Sequence, residues 1–257
     1  MRLASWNVNG LRAVERKGEL EKFVSEAQAD IIFFQETKAS VEKLTPIVKK
    51  YPRYTQHYHS AIKAGYAGTG CWIRRDLPDY EVHVGFPGGV DPEGRIMRLD
   101  IGGFTFLGIY FPNGGKSPQA WEGKLVFYED ILDYVNHLRG GGAKVLFCGD
   151  VNCAHEEVDI ARAKENDGNI GFHPLEREKL TKYEMNGWVD VYRRRNPDTV
   201  VYSYWDLYTR ARQRNVGWRL DYFFSDEKLL DKVVDVTYFT EQMGSDHCPV
   251  LLELKEG

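Results

Sequence analysis

The chain has 257 residues, 42% of them hydrophobic and 28% charged, with a net charge of −4 and a pI of about 6.0. That is an ordinary globular balance with enough apolar residues for a large core, and it argues against a simple basic coat for nucleic acid. No run of 18 apolar residues is present to form a membrane-spanning helix. Four cysteines (Cys71, Cys148, Cys153, Cys248) form no CxxC pair, which argues against structural zinc. Met1 to Asn7 reads at once as a strand, without a signal-peptide apolar region. A compact prokaryotic-type cytoplasmic protein with reduced thiols is the expectation.

In chain order, residues 2–8 alternate as a strand ending in Asn7-Val8-Asn9-Gly10. A helix is predicted over 12–27, with Leu20, Phe23, Val24 and Ala27 on one stripe. Residues 30–34 form a buried strand running into Gln35-Glu36-Thr37-Lys38, and 41–50 a short helix stopped by Pro52. Strands are predicted at 54–61 and 70–74, and a Gly/Pro-rich loop at 86–94. Residues 95–101 and 104–111 alternate as a hairpin turned by Gly102-Gly103. The second of these ends in Tyr110-Phe111-Pro112-Asn113, followed by Gly114-Gly115-Lys116. A long helix spans about 119–138 and stops at Gly140-Gly141-Gly142.

The apolar run Val145–Cys148 reads as a strand buried on both faces, and Gly149-Asp150-Val151-Asn152 ends it. A polar loop (155–169) and a helix (174–186) follow. The remaining pieces are extended: 188–192, 200–204, 219–224 beginning near Asp221, 233–239, and 250–254 after Gly244-Ser245-Asp246-His247-Cys248-Pro249. Strands and helices alternate, antiparallel strands are interspersed, and no Pro- or Ser-rich linker divides the chain. The expected architecture is one α/β domain over 1–257, with two mixed sheets packed face to face and helices outside.

Asn7, Glu36, Tyr110, Asn113, Asp150 and Asn152 all sit at C-terminal ends of predicted strands, while Asp221 and Asp246-His247 sit at strand beginnings. If the latter strands run antiparallel to the former, all of these groups line one rim. Glu and His are not favoured turn residues, so turn statistics do not account for the coincidence. The residue types suit metal-assisted phosphodiester hydrolysis. Glu36 offers a hard oxygen for Mg²⁺, with Asn7 and Asn9 beside it. His247 can polarise a phosphate or activate water, with Asp221 or Asp246 fixing its tautomer. Asp150 can take a proton, aided by Asn152, and Tyr110 can hydrogen-bond a phosphate. Water is the favoured nucleophile, since no Ser or Cys sits beside a plausible base.

Between residues 193 and 219, seven arginines face two aspartates, with Tyr202, Tyr204, Trp205, Tyr208 and Trp218 interleaved. This pattern suits either phosphates and exposed bases or a solvated face over ordinary core aromatics.

Six stretches carry a specific resemblance, in order over nearly the whole chain. They are Ser5–Arg12, Gln35–Lys38, Tyr110–Asn113, Gly149–Asp159, Asn215–Tyr222 and Gly244–Pro249. Together they resemble the exonuclease III family of class II apurinic/apyrimidinic (AP) endonucleases. The resemblance implies a four-layered α/β sandwich like that of pancreatic DNase, of the endonuclease/exonuclease/phosphatase superfamily. It implies Mg²⁺- or Mn²⁺-dependent hydrolysis 5′ to an abasic site in duplex DNA, leaving a 3′-hydroxyl. Cleaning of blocked 3′ ends, 3′→5′ exonuclease activity and a monomeric state also follow from it.

By motif, the resemblance places Glu36, Asn9 and Asn7 on the metal side, with Asp246 between metal and His247. Tyr110 and Asn113 map to phosphate contacts, Asp150 and Asn152 to the water or leaving-group machinery, and Asp221 with His247 to an Asp–His pair. Trp218, Leu220 and Tyr204 map to the wall of a pocket for the flipped-out abasic sugar, and Asn166 and Asn169 to backbone contacts. Lys116 and Arg162 stand at family-variable positions among the DNA contacts.

Two departures stand out. Asn9 replaces the Asp of many relatives, and Tyr204-Trp205-Asp206-Leu207-Tyr208 is more polar than the usual pocket-wall sequence. Two alternatives are therefore retained: an enzyme that is mainly a 3′→5′ exonuclease, and a phosphatase or phosphodiesterase of the same fold.

Overall fold

The computed structural model describes residues 1–255. The chain runs β1 (Arg2–Asn7), α1 (Leu11–Arg16), α2 (Glu19–Ala27), β2 (Ile31–Gln35), α3 (Val41–Lys50), β3 (Tyr54–His59), β4 (Thr69–Arg74), β5 (Tyr80–Val84) and β6 (Ile96–Ile101). It continues β7 (Phe104–Tyr110), α4 (Pro118–Gly140), β8 (Lys144–Asp150), α5 (Ala163–Asn166), α6 (Pro174–Met185), β9 (Trp188–Asp190), α7 (Val191–Arg195), β10 (Asp221–Asp226), β11 (Val233–Tyr238) and β12 (Val250–Leu254).

Two six-stranded sheets form, in the orders β11-β12-β1-β2-β4-β3 and β5-β6-β7-β8-β10-β9. The second order repeats the first strand for strand. In each sheet the central pair is parallel (β1 with β2, β7 with β8) and its outer neighbours are antiparallel. The two sheets thus share one topology, the first built from both ends of the chain and the second from its middle.

Alternation along the strands builds four layers. Leu3, Ile31, Phe33, Cys71 and Ile73 of one sheet face Leu99, Phe106, Leu146, Cys148 and Phe223 of the other. The intervening residues Ala4, Trp6, Ile32, Phe34 and Trp72 turn outward onto α1–α3. Leu107, Ile109, Phe147, Tyr222 and Phe224 do the same beneath α4 and α6. Both sides of every central strand are buried, which explains the nearly continuous apolar runs. At Gly108 the sheets come so close that a Cβ would stand 2.3 Å from Phe33 Cδ1.

Several local expectations are corrected. The helix predicted over 12–27 is two helices, because Gly18 takes a left-handed φ of 77° between them; the break lets Leu11, Val14, Leu20 and Phe23 all reach one core. β5 is an additional edge strand. It pairs only with β6 and is largely exposed, so the ladder creates it without an apolar pattern. Residues 200–204 are not a strand; only Tyr204 makes isolated bridges, to Trp218 and His247. The extended piece at 188–192 ends at Asp190, whose side chain accepts from Arg193 N and caps α7. Among the described residues no helix is long and apolar enough to cross a membrane.

Candidate active site

The paired topology brings the C-terminal ends of β1, β2, β7 and β8 to one rim. β10 runs antiparallel to β8 with Asp221 opposite Asp150, and β12 runs antiparallel to β1. The first residues of β10 and the loop before β12 therefore arrive at the same rim. An open cleft of about 420 Å³ lies there, lined by Asn9, Glu36, Tyr110, Asn113, Asp150, Asn152, Tyr204, Trp218, Leu220, Asp246 and His247, and also by Lys38, Ile170 and Gly171.

The backbone at this rim is unusual. Asn9, Glu36, Lys38 and Asn152 all have left-handed φ values (43°, 53°, 51° and 55°), four of the nine non-glycine residues so placed among the described residues. Such conformations cost energy and persist where surrounding contacts over-determine them. Here they turn side chains into the cleft just past the strand ends.

Asn7 ties the two sheets together. Its Nδ2 donates to Glu36 Oε1 at 2.8 Å and to Asp150 Oδ2 at 2.7 Å. Asp150 also accepts from Asn152, through the backbone N at 2.9 Å and Nδ2 at 3.2 Å. Asn113 Nδ2 donates to Asn152 Oδ1 at 3.1 Å. On the other side, His247 Nδ1 stands 2.8 Å from Asp221 Oδ2, while Nε2 faces Asp150 Oδ2 at 3.8 Å, too long for a hydrogen bond. Ser203 Oγ accepts from the backbone N of Leu220 and of Asp221 at 2.9 and 3.0 Å, fixing the start of β10.

Burial pushes the Asp150 carboxyl up to about 7; His247 opposes the rise, and Asp221 and Glu36 add to it. Burial alone would lower the pKa of His247, but Asp221 and then Asp150 outweigh it and raise it to about 10. At neutral pH His247 is therefore an imidazolium. Its Nδ1–H donates to Asp221, and its second N–H is directed toward the cleft. For Glu36, burial works upward but Lys38 and Asn7 outweigh it, so its carboxylate stays below the usual range.

Hard oxygens suited to Mg²⁺ converge here, from Glu36 and Asp150, and Asp221 Oδ1 is buried without a partner. Carboxylate oxygens of Asp150 and Asp221 lie within 4.8 Å of one another, whereas the imidazolium of His247 has no lone pair to offer a metal. The donor set thus fits a divalent cation. Asn9 is more committed than the sequence suggests: its Nδ2 donates to both oxygens of Asp246 at 3.0 Å, and its Oδ1 accepts from Lys38. Lys38 also pairs with Glu36 at 2.7 Å.

A model of the endonuclease/exonuclease/phosphatase family matches residues 4–247. The chain belongs to this family. Within it, an exodeoxyribonuclease of Bacillus subtilis (strain 168) is 37% identical over 253 residues, covering 98% of each chain. The DNA repair nuclease APEX1 of Danio rerio is 35% identical, over 99% of this chain and 82% of its own. Among solved structures, the AP endonuclease LMAP from Leishmania major superposes with a TM-score of 0.89 at 27% identity, covering 100% of this chain and 88% of that one. The resemblance to exonuclease III-type enzymes and the four-layered fold are both borne out.

Against this family frame, some predicted positions stand apart from the cleft. Lys116 lies over the Tyr66 ring, 4.0 Å from its centroid, in an adjoining groove. Arg162 is exposed and faces Glu165 at 3.5 Å. Asn166 Nδ2 donates to the carbonyls of Ala161 and Arg162, and Asn169 Nδ2 to Glu165 O and Asn166 Oδ1.

Three of the seven arginines of 193–219 are turned inward, while Arg194, Arg195, Arg210 and Arg214 stay exposed. Fully buried Arg219 pairs with Asp159 and Asp190, Arg193 joins Asp159, and Arg212 donates to the carbonyls of Thr240 and Gln242. Tyr202 and Trp205 are core residues. Lys38, Ser203 and the Asp159–Arg219 pair were not singled out by sequence reasoning. Lys38 stands two residues after Glu36, and the signal available for it was that proximity.

Proposed function

We propose that the chain is a DNA repair nuclease that hydrolyses the phosphodiester 5′ to an abasic site in duplex DNA, leaving a 3′-hydroxyl, and that it also trims blocked 3′ ends. The observation that carries this reading is the pairing of opposite proton roles in one cleft. An imidazolium at His247 and a carboxyl at Asp150 that titrates near neutrality stand 3.8 Å apart, beside the hard oxygens of Glu36. A phosphate oxygen held by His247 Nε2–H, the Tyr110 hydroxyl and the Asn113 amide places phosphorus in front of Asp150. Ionised Asp150 takes the proton of the attacking water. Asn152, fixed by Asn113 and Asp150, orients that carboxylate. The P–O3′ bond then breaks, the phosphate stays on the 5′ side, and the departing 3′ oxygen takes a proton from solvent water to become the 3′-hydroxyl.

A divalent cation, proposed as Mg²⁺ with Mn²⁺ as substitute, would be held by Glu36 with Asp150 and Asn7 adjoining, and supplies charge neutralisation at the phosphate. Asp246 stands at the edge of that position, held by Asn9. Trp218, Leu220 and Tyr204 form a wall that can receive a sugar lacking its base. Such a nucleotide gives up little stacking on leaving the duplex.

The test is a labelled duplex with one abasic-site analogue, incubated with Mg²⁺ and separately with EDTA. One nick 5′ to the lesion, only with metal, is the expected result. Shortening from the 3′ end without a nick would recast the enzyme as mainly an exonuclease. No cleavage of any DNA would return the reading to a phosphatase of the same fold.

A further inference from the structure

Beyond β8 the chain leaves the sheet, yet its next three carbonyls are each held by a buried side chain. Tyr128 OH donates to Val151 O at 2.7 Å, Lys124 Nζ to Asn152 O at 2.8 Å, and Tyr222 OH to Cys153 O at 2.8 Å. Lys124 and Tyr128 lie one turn apart on α4, on the face turned to the core. Lys124 Nζ donates as well to Asn113 O at 3.1 Å and forms an ion pair with Glu176. Glu176 Oε2 in turn accepts from the backbone N of Gly171 at 2.7 Å and of His173 at 3.2 Å. Gly171 lies against Trp218: a Cβ there would stand 2.7 Å from Trp218 Cζ3. Both Lys124 and Glu176 are 0% exposed.

One buried pair therefore joins three walls of the cleft from beneath: the Asn113 loop, the Asn152 loop and the loop against Trp218. Burying an ion pair is rarely the most stable solution, since apolar residues of similar volume often do as well or better. Here the ammonium donates to two backbone carbonyls as well as pairing with Glu176, and one of those carbonyls belongs to the left-handed Asn152. We propose that Lys124 and Glu176 are positioning residues, which set the side-chain amides of Asn113 and Asn152 against the scissile phosphate. This rests on the nuclease reading above. Neither side chain lines the cleft, so their effect on the reaction runs through the two asparagines.

The test compares wild type, Lys124→Met, Glu176→Gln and the double variant K124M/E176Q on the abasic duplex with Mg²⁺. K124M alone leaves Glu176 as an unpaired buried charge and is expected to melt lowest. The double variant removes that charge and retains an acceptor for Gly171 N, so its melting temperature recovers toward wild type. The single-turnover rate does not recover: it stays about tenfold to a hundredfold down, the cost of misplacing oriented groups. Duplex affinity in EDTA changes by less than about threefold, since the phosphate contacts that dominate affinity are kept. In ¹⁵N spectra the side-chain amide signals of Asn113 and Asn152 shift or broaden.

A double variant that melts near wild type and cuts within about threefold of it, a range too small for misplaced oriented groups, would overturn the proposal. If wild type does not cut at all, the function reading fails on its own. The amide signals then decide whether the pair orders the two asparagines, and unchanged signals would overturn that as well. Glu176→Gln, which keeps a side-chain acceptor for the N–H groups of Gly171 and His173, keeps the comparison open if K124M does not fold.

Discussion

Asn7 Nδ2 donates to Asp150 Oδ2 at 2.7 Å, across the boundary between the two sheets. The same amide donates to Glu36, so one uncharged side chain keeps two carboxylates apart while binding both. Asn7→Asp would put a third carboxylate into this space and push the Asp150 pKa further up. Asn7→Ala would free Asp150 from its inter-sheet contact. Each is expected to lower the single-turnover nicking rate about 10²-fold or more, as the loss of a preorganised active-site hydrogen bond does. Wild-type rates in Asn7→Ala would remove Asn7 from the machinery.

In the proposed mechanism the two central titrations predict a bell-shaped pH dependence. As pH falls through about 7, Asp150 gains a proton and can no longer accept one from water. As pH rises through about 10, His247 loses the proton that faces the phosphate. A bound divalent cation favours the carboxylate, so with Mg²⁺ the acid limb should lie below 7. Asp221→Asn removes the largest influence raising the His247 pKa, so the alkaline limb should move to lower pH, which the pH profile of kcat/KM reads directly. An alkaline limb that stays in place would separate it from His247.

Trp218 and Tyr204 meet across an isolated bridge at the cleft wall. Trp218→Ala should raise KM for an abasic duplex by about tenfold, the scale of losing one aromatic contact to a nucleotide. Removal of undamaged 3′ ends should change less. Parallel KM values for the two substrates check this, and equal losses on both would mean that Trp218 is not part of a lesion pocket.

Stability depends on a carboxylate outside the cleft. Asp159 accepts from Arg219 Nε at 2.7 Å and Nη2 at 3.0 Å, and pairs with Arg193. Burial works to raise its pKa, but Arg219 outweighs it and holds it at about 2. An unfolded Asp titrates near ~3.9, so this stabilisation is complete above that pH and is lost as pH falls toward 2. Asp159→Asn leaves Arg219 partly uncompensated and should cost about 3–5 kcal/mol at pH 7. The variant should also lose part of the acid sensitivity between pH 4 and 2. Urea melts at neutral and acid pH measure both, and a variant as stable as wild type would remove Asp159 from the load on that loop.

Gly149 is the last position before Asp150 at the end of β8. Its φ is 141°, and a Cβ would stand 1.8 Å from Ile109 O. Gly149→Ala is expected to cost about 4 kcal/mol or more, since backbone strain and a backbone clash act together. A thermal melt reads this directly, and a loss below about 1 kcal/mol, typical of a surface change, would contradict the close approach.

The strand ends were legible because buried strands write their own pattern. Runs such as Ile31–Phe34 and Val145–Cys148 announce strands covered on both faces, and the polar residues directly after them announce what the rim carries. The motif order was specific enough to imply the family. What sequence alone could not supply was everything that depends on which strands become neighbours. β5 exists because β6 offers it a ladder, and 200–204 fails to become a strand because its pairing is confined to isolated bridges of Tyr204 with Trp218 and His247. Arg193 and Arg219 read as part of a binding stripe until Asp159, with Asp190 for Arg219, arrives to pair with them. Proton roles were equally hidden, since the Asp150 and His247 pKa values are set by burial and by charges brought together only when the two sheets close. Local periodicity determines which elements form; long-range packing determines which charges meet, and the chemistry of this protein is decided by the second.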